Sequence, residues 1–120
     1  MPLRYVILRH QNIDEPHYDL MFETIPGSSL ATWRSPAWPI ESPTDAGKLR
    51  DHRRAFLDYQ GELTGNRGQV IQVAAGTCQI IISEYSSWKI RLLSGSLPVV
   101  LSFRQVDGQH WSVEKSDVAD

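Results

Sequence analysis

Turn-forming residues cut this chain into short pieces, and no other feature limits its fold so strongly. Pro26-Gly27, Gly65-Asn-Arg-Gly68, Gly76, Ser86-Ser87, Gly95 and Asp107-Gly108 interrupt it, at a spacing of roughly 8 to 12 residues that suits antiparallel β structure. Between them lie β-branched and aromatic stretches that read as strands: Arg4–His10, His17–Glu23, Ser29–Arg34, Gln69–Val73, Thr77–Ser83, Trp88–Leu93, Val99–Arg104 and His110–Glu114. His17-Tyr-Asp-Leu-Met-Phe-Glu23 shows the period most clearly, with Tyr18, Leu20 and Phe22 on one face and His17, Asp19 and Glu23 on the other. The expected fold is mainly β: a small antiparallel barrel, closed or partly open, with at most one or two short helices. Closure would remove the exposed edges that a sheet this size otherwise presents.

Residues 35–47 carry Pro36, Pro39 and Pro43 and read as a loop. Asp45–Tyr59 fits two descriptions: Asp45 can cap a helix through Ala46, Lys48, Leu49 and Arg50, and an extended path through Lys48–His52 fits as well. The expectation is a short helix or irregular structure. A length of 120 residues suits one domain, residues 1–120, with its core at about 4–115 and a frayed tail at 116–120. The hydrophobic fraction of 41% supports a core and argues against disorder. The N-terminus has no apolar leader, and no run reaches the roughly 20 apolar residues of a membrane helix. A cytoplasmic monomer with no membrane association is the expectation. Cys78 stands alone, without a disulfide partner, in an apolar stretch with no basic neighbour, which describes a buried, inert thiol.

With 12 basic and 14 acidic residues the formal net charge is -2, so a domain-wide positive surface for nucleic acid is excluded. Local chemistry is another matter. His17 and Asp19 project from one face of one strand, and His10 ends the strand before it, across a six-residue loop, Gln11–Pro16. If those strands pair, two imidazoles and a carboxylate converge from one side and leave coordination positions open, which suits Mn²⁺, Fe²⁺ or Zn²⁺. The alternative is a pair of solvated or hydrogen-bonded surface histidines. Arg50-Asp-His-Arg-Arg54, with Lys48 close by, forms a basic run that either contacts phosphate through planar guanidinium forks or simply faces water. Gly65-Asn-Arg-Gly68 presents Arg67 at the tip of a turn that is either phosphate-approaching or an ordinary hairpin. The tryptophans at 33, 38, 88 and 111 read as core, and Trp38, in the proline loop, is the one whose exposure bears on base stacking. His110, beside Trp111, reads as structural or exposed.

In order along the chain stand His10, His17-Tyr-Asp19-Leu-x-x-Glu23, Trp33 before the proline loop, Asp51-His52, Leu57-Asp-Tyr-x-Gly61 and the glycine-rich hairpin. This series, spanning roughly residues 4–115, resembles the 3′-phosphoesterase domain of bacterial DNA ligase D, which also occurs as a stand-alone protein. The resemblance implies a compact barrel with a divalent-metal site, preferentially Mn²⁺ with Zn²⁺ possible, in a crescent-shaped groove. It implies trimming of DNA 3′ ends by removal of a terminal ribonucleoside and then of the 3′-phosphate. His10, His17 and Asp19 would be the metal ligands and His52 the histidine at the scissile phosphate. Outside that carry-over, Arg50 and Arg53 are candidates to replace the family's missing positive charge beside His52, and Arg54, Arg67 and Glu23 are candidate substrate contacts. A nucleic-acid 3′ end is the implied partner, together with a separate ligase or polymerase. The chain departs from the family at Met21, where an arginine is expected, at Arg50, where a glutamate is expected, and in a first loop one residue longer.

Three functions compete on this reading. The first is a metal-dependent phosphoesterase. The second is a catalytically impaired module that binds phosphate or nucleic acid on the same barrel, motivated by Met21 and Arg50. The third is a cupin-like redox metal site, which leaves His52 and the arginines without a role.

Overall fold

The structure is a computed structural model that describes residues 2–93 and 99–117. Among the described residues nine strands follow one another: β1 (Leu3–Gln11), β2 (His17–Glu23), β3 (Leu30–Ser35), β4 (Thr44–His52), β5 (Gly61–Glu62), β6 (Gln69–Glu84), β7 (Ser87–Leu92), β8 (Val99–Asp107) and β9 (His110–Asp117). One turn of 3-10 helix, Arg54–Leu57, separates β4 from β5. The strands pair in the order β1-β2-β3-β4-β9-β8-β7-β6-β5, and β1 also pairs with β6. That last pairing closes eight antiparallel strands into a barrel and leaves β5 as a short addition on β6. No helix among the described residues is long and apolar enough to cross a membrane.

The barrel interior is aromatic. Trp33 is fully buried, stacks on Phe103 with ring centroids 4.1 Å apart, and meets Trp88 and Trp111 edge-on. Tyr5, Ile7, Leu20, Phe22 and Ile90 complete the layer. Trp38 is half-buried against this core, so it is no open platform for a base. A second, smaller cluster lies on the outer face of β1–β3: Val6, Leu8, Met21 and Leu30 pack with Val70 beneath Leu57 of the 3-10 turn. Outward-facing positions on β1 and β2 are therefore apolar where the turn covers them. They become polar at His10, His17 and Asp19, beyond its reach.

Three sequence expectations need correcting. Residues 44–52 form a strand, so the extended alternative through Lys48–His52 holds, the helical or irregular one does not, and the loop expected over 35–47 ends before Thr44: β4 pairs with β3 on one side and β9 on the other, and those ladders outweigh the helix propensity of Ala46, Lys48, Leu49 and Arg50. Gly76 does not break a strand, because β6 runs unbroken for 16 residues, pairing with β1 through its first part and β7 through its second. Ser116, assigned to a frayed tail, pairs with Val100 in the β8–β9 ladder. The turn expected at Gly95 and the tail residues 118–120 lie outside the described residues.

Candidate metal centre and its groove

Register builds the cluster. In the β1–β2 ladder His10 sits directly opposite His17, and Leu8 opposite Asp19. Directly opposed residues bring their Cβ atoms to within about 5 Å, and the two imidazole centroids lie 4.9 Å apart. His10, His17 and Asp19 each offer one ligand atom, and these atoms fall within 4.8 Å of one another.

Backbone carbonyls set the histidine tautomers. A carbonyl only accepts, so His17 Nδ1–H donates to Glu15 O at 2.8 Å and His10 Nε2–H donates to Arg67 O at 2.7 Å. A neutral ring bonded in this way has its bare nitrogen on the other side. That nitrogen is Nε2 of His17, 3.4 Å from Asp19 Oδ1, and Nδ1 of His10, 3.9 Å from Asp19 Oδ2. His17 Nε2 and Asp19 Oδ1 are buried, yet neither has a hydrogen-bond partner. Buried polar atoms without partners are rare and call for an explanation. Lone pairs on two imidazoles converging with a carboxylate match the donor set of a divalent cation, with outer carbonyls orienting both rings. The residues present fit such an ion.

A groove of about 560 Å³ opens beside the cluster, lined by His10, Asp19, Arg34, His52, Arg53 and Arg67 among others. His52 reaches this face through a bulge. Leu30 pairs with His52 but Thr32 with Leu49, so β4 spends one more residue than β3 across the same interval. The extra residue, within Arg50–Asp51, changes which face the following side chain takes. His52 Nδ1–H then donates to Arg50 O at 3.0 Å and leaves Nε2 available. Arg67 is held by its own turn, with Nε donating to Thr64 O at 2.7 Å and Nη2 to Thr64 Oγ1 at 3.0 Å. Phe56, Tyr59 and Thr64 line the same groove; Tyr59 belongs to the Leu57-Asp-Tyr-x-Gly61 series, while Phe56 and Thr64 carry no motif that singled them out.

The basic run is dispersed rather than pooled. Arg53 lines the groove; Arg50 and Arg54 are not among its lining residues. Arg54, expected at substrate, donates through Nη1 to Glu23 Oε2 at 2.8 Å. Glu23, also expected at substrate, is 2% exposed and spends its carboxylate inside the fold, accepting from the Arg4 and Gly27 amides as well. Lys48 turns inward over the Trp33 ring at 4.9 Å, and burial pulls its ammonium below the usual lysine pKa. Met21 is 1% exposed in the small outer core and supplies no charge. His110 is half-exposed, with Nε2 3.4 Å from Asp45 Oδ1. Burial, and to a lesser degree the charge of Glu23, pushes the Cys78 thiol up to about 12, which leaves it protonated and unreactive.

Arg34 is the groove residue that motif reading passed over. It lies opposite Asp19 in the β2–β3 ladder. Reflecting Asp19 through the Pro26–Gly27 turn lands on residue 34, so hairpin symmetry was the available clue.

The fold and site define an eight-stranded antiparallel barrel carrying a His–His–Asp cluster on its outer wall, with His17 and Asp19 buried and His10 partly so, beside an arginine-bearing groove. Compared with known protein families and with curated proteins, the chain matches none.

Proposed function

We propose that this chain is a metal-dependent phosphoesterase that trims nucleic-acid 3′ ends, removing a 3′-phosphate or a 3′-ribonucleoside, in the manner of the end-healing domain of DNA ligase D. The observation that carries the reading is the pair of bare imidazole nitrogens facing an unpartnered carboxylate oxygen at the rim of a groove that also presents His52, Arg53 and Arg67. His10 Nδ1, His17 Nε2 and Asp19 would hold the ion, Mn²⁺ in preference and Zn²⁺ as the alternative. Such an ion polarises a phosphoryl oxygen and makes bound water a better nucleophile.

The chain's own groups do the rest. Glu15 O and Arg67 O keep the two rings turned with their lone pairs toward Asp19. His52, with Nδ1 anchored on Arg50 O, presents Nε2 to a non-bridging phosphate oxygen. Arg53 and Arg67 offer guanidinium donors to phosphate oxygens on the same side. A 3′-hydroxyl end is what a separate ligase or polymerase requires, so such enzymes are the partners this reading implies. A cytoplasmic monomer is consistent with it.

A primer bearing a 3′-phosphate, incubated with the protein and Mn²⁺, tests the proposal. Conversion to a 3′-hydroxyl is expected, with loss of at least about 100-fold in rate for His17→Ala. Failure to convert 3′-phosphate or 3′-ribonucleotide ends with Mn²⁺ or Zn²⁺ would contradict it. Salt-dependent DNA affinity without turnover would instead favour the binding module, to which buried, uncharged Met21 already lends weight.

A further inference from the structure

We propose that Arg34 is the anion-binding residue of this site, clamping the non-bridging oxygens of the phosphate held at the His10–His17–Asp19 cluster; the inference rests on the phosphoesterase reading. On β2 the outward position next to Asp19 is Met21, buried and apolar, so that strand brings no cation to the cluster. The neighbouring strand does. Arg34 stands directly across the ladder from Asp19, and on β3 it alternates with inward-facing Trp33, which directs it to the outer wall.

Its place between two cavities is distinctive. One is the groove of about 560 Å³ with His10, Asp19, His52, Arg53 and Arg67; the other, about 520 Å³, adjoins His17, Glu15, Asp45 and His110. Among the described residues these cavities share Arg34 alone as a lining side chain. A group spanning the cluster from one cavity to the other passes this guanidinium.

Arg34 is also uncommitted. Arg4 is paired with Asp58, Arg54 with Glu23, Arg67 with Thr64 and Arg91 with Gln79, while Arg9 lies over the Tyr18 ring. Among the described residues Arg34 has no such partner, and it is exposed beside a carboxylate without forming an ion pair with it. Once Asp19 serves a divalent ion, the cluster holds excess positive charge, and an exposed guanidinium there is matched only by an anion with several oxygens. A phosphate group presents that geometry to a planar fork.

The test compares Arg34→Ala and Arg34→Lys with the unaltered protein in three measurements: Mn²⁺ affinity, affinity for inorganic phosphate at saturating Mn²⁺, and turnover of a 3′-phosphorylated primer. Arg34→Ala is expected to keep Mn²⁺ affinity within about twofold, because Arg34 is not a ligand. It should weaken phosphate binding and reduce turnover by at least about tenfold. Arg34→Lys, a point charge without the fork, should fall between. Guanidinium ion added to Arg34→Ala should restore part of the turnover, which a merely structural role would not allow. Equal phosphate affinity and turnover in Arg34→Ala and the unaltered protein would overturn the inference and leave the phosphoesterase reading standing. An unaltered protein that binds Mn²⁺ but neither phosphate nor primer would overturn both.

Discussion

Glu23 accepts hydrogen bonds from the Arg4 amide at 2.8 Å, the Gly27 amide at 3.1 Å and the Arg54 guanidinium at 2.8 Å, all while 2% exposed. Removing it strands two amides and a cation, and each buried group left without a partner costs about 1–3 kcal/mol. Glu23→Ala should therefore lower unfolding free energy by roughly 2–4 kcal/mol in urea titration, while Mn²⁺ affinity, set on the other end of β2, stays near its original value. Cys78 makes a second prediction at this scale. With its pKa pushed up to about 12, the thiol should react with a disulfide reagent at pH 8 only after denaturation, and fast reaction in the folded protein would count against its burial. In the sequence, alternation along His17–Glu23 put His17, Asp19 and Glu23 on one polar face. It carried no information on which of them met a partner inside the fold. Glu23 is satisfied by a turn and by a residue 31 positions away, contacts that no local pattern records.

Elements explain why some of the site could be read and some could not. The six residues between His10 and His17 are few enough that the pairing of β1 with β2 was legible, and with it the meeting of the two histidines. The bulge in β4 was not legible, because a strand's phase changes there without any glycine or proline to mark it. β4 itself was legible only as one of two alternatives: helix-forming residues adopt a strand because β3 and β9 flank them. Gly68 links element to site. Its φ is +78°, and an added Cβ would lie 2.7 Å from Ile13 Cγ2 and closer still to the Gln11 carbonyl. It directly follows Arg67, whose carbonyl orients His10. Gly68→Ala should cost more than about 1 kcal/mol of stability and also weaken Mn²⁺ binding severalfold, whereas an Ala at Gly108, where φ is +55° but nothing lies within 4 Å, should leave metal affinity unchanged.

Across the whole molecule, closure by β1–β6 joins the early hairpin to the long strand that follows the Gly65–Gly68 turn. His10 and Arg67 come together through that closure despite lying 57 positions apart in the chain. A barrel was legible from turn spacing and from the need to cover edges; the strand order that sends β4 to β9 was not, since both partners are equally β-like in sequence. A net charge of -2 also takes on a defined meaning. The groove's cationic contacts come from Arg34, Arg53 and Arg67, set beside Asp19, Asp58 and Glu62 in the same lining, rather than from the surface at large. Affinity for a single-stranded 3′ end should therefore fall with log[salt] at a slope of about -2, the value for three phosphate contacts, as measured by fluorescence anisotropy. A much steeper slope would require an extended basic surface and would contradict this account.

Soaking a crystal in Mn²⁺ and collecting at the manganese absorption edge tests the central claim most directly. The account predicts one strong anomalous peak at coordinating distance from His10 Nδ1, His17 Nε2 and an Asp19 oxygen, with both histidines still bonded through their other nitrogens to Arg67 O and Glu15 O. An empty cluster at saturating Mn²⁺, or an ion bound only at surface carboxylates elsewhere, would contradict it.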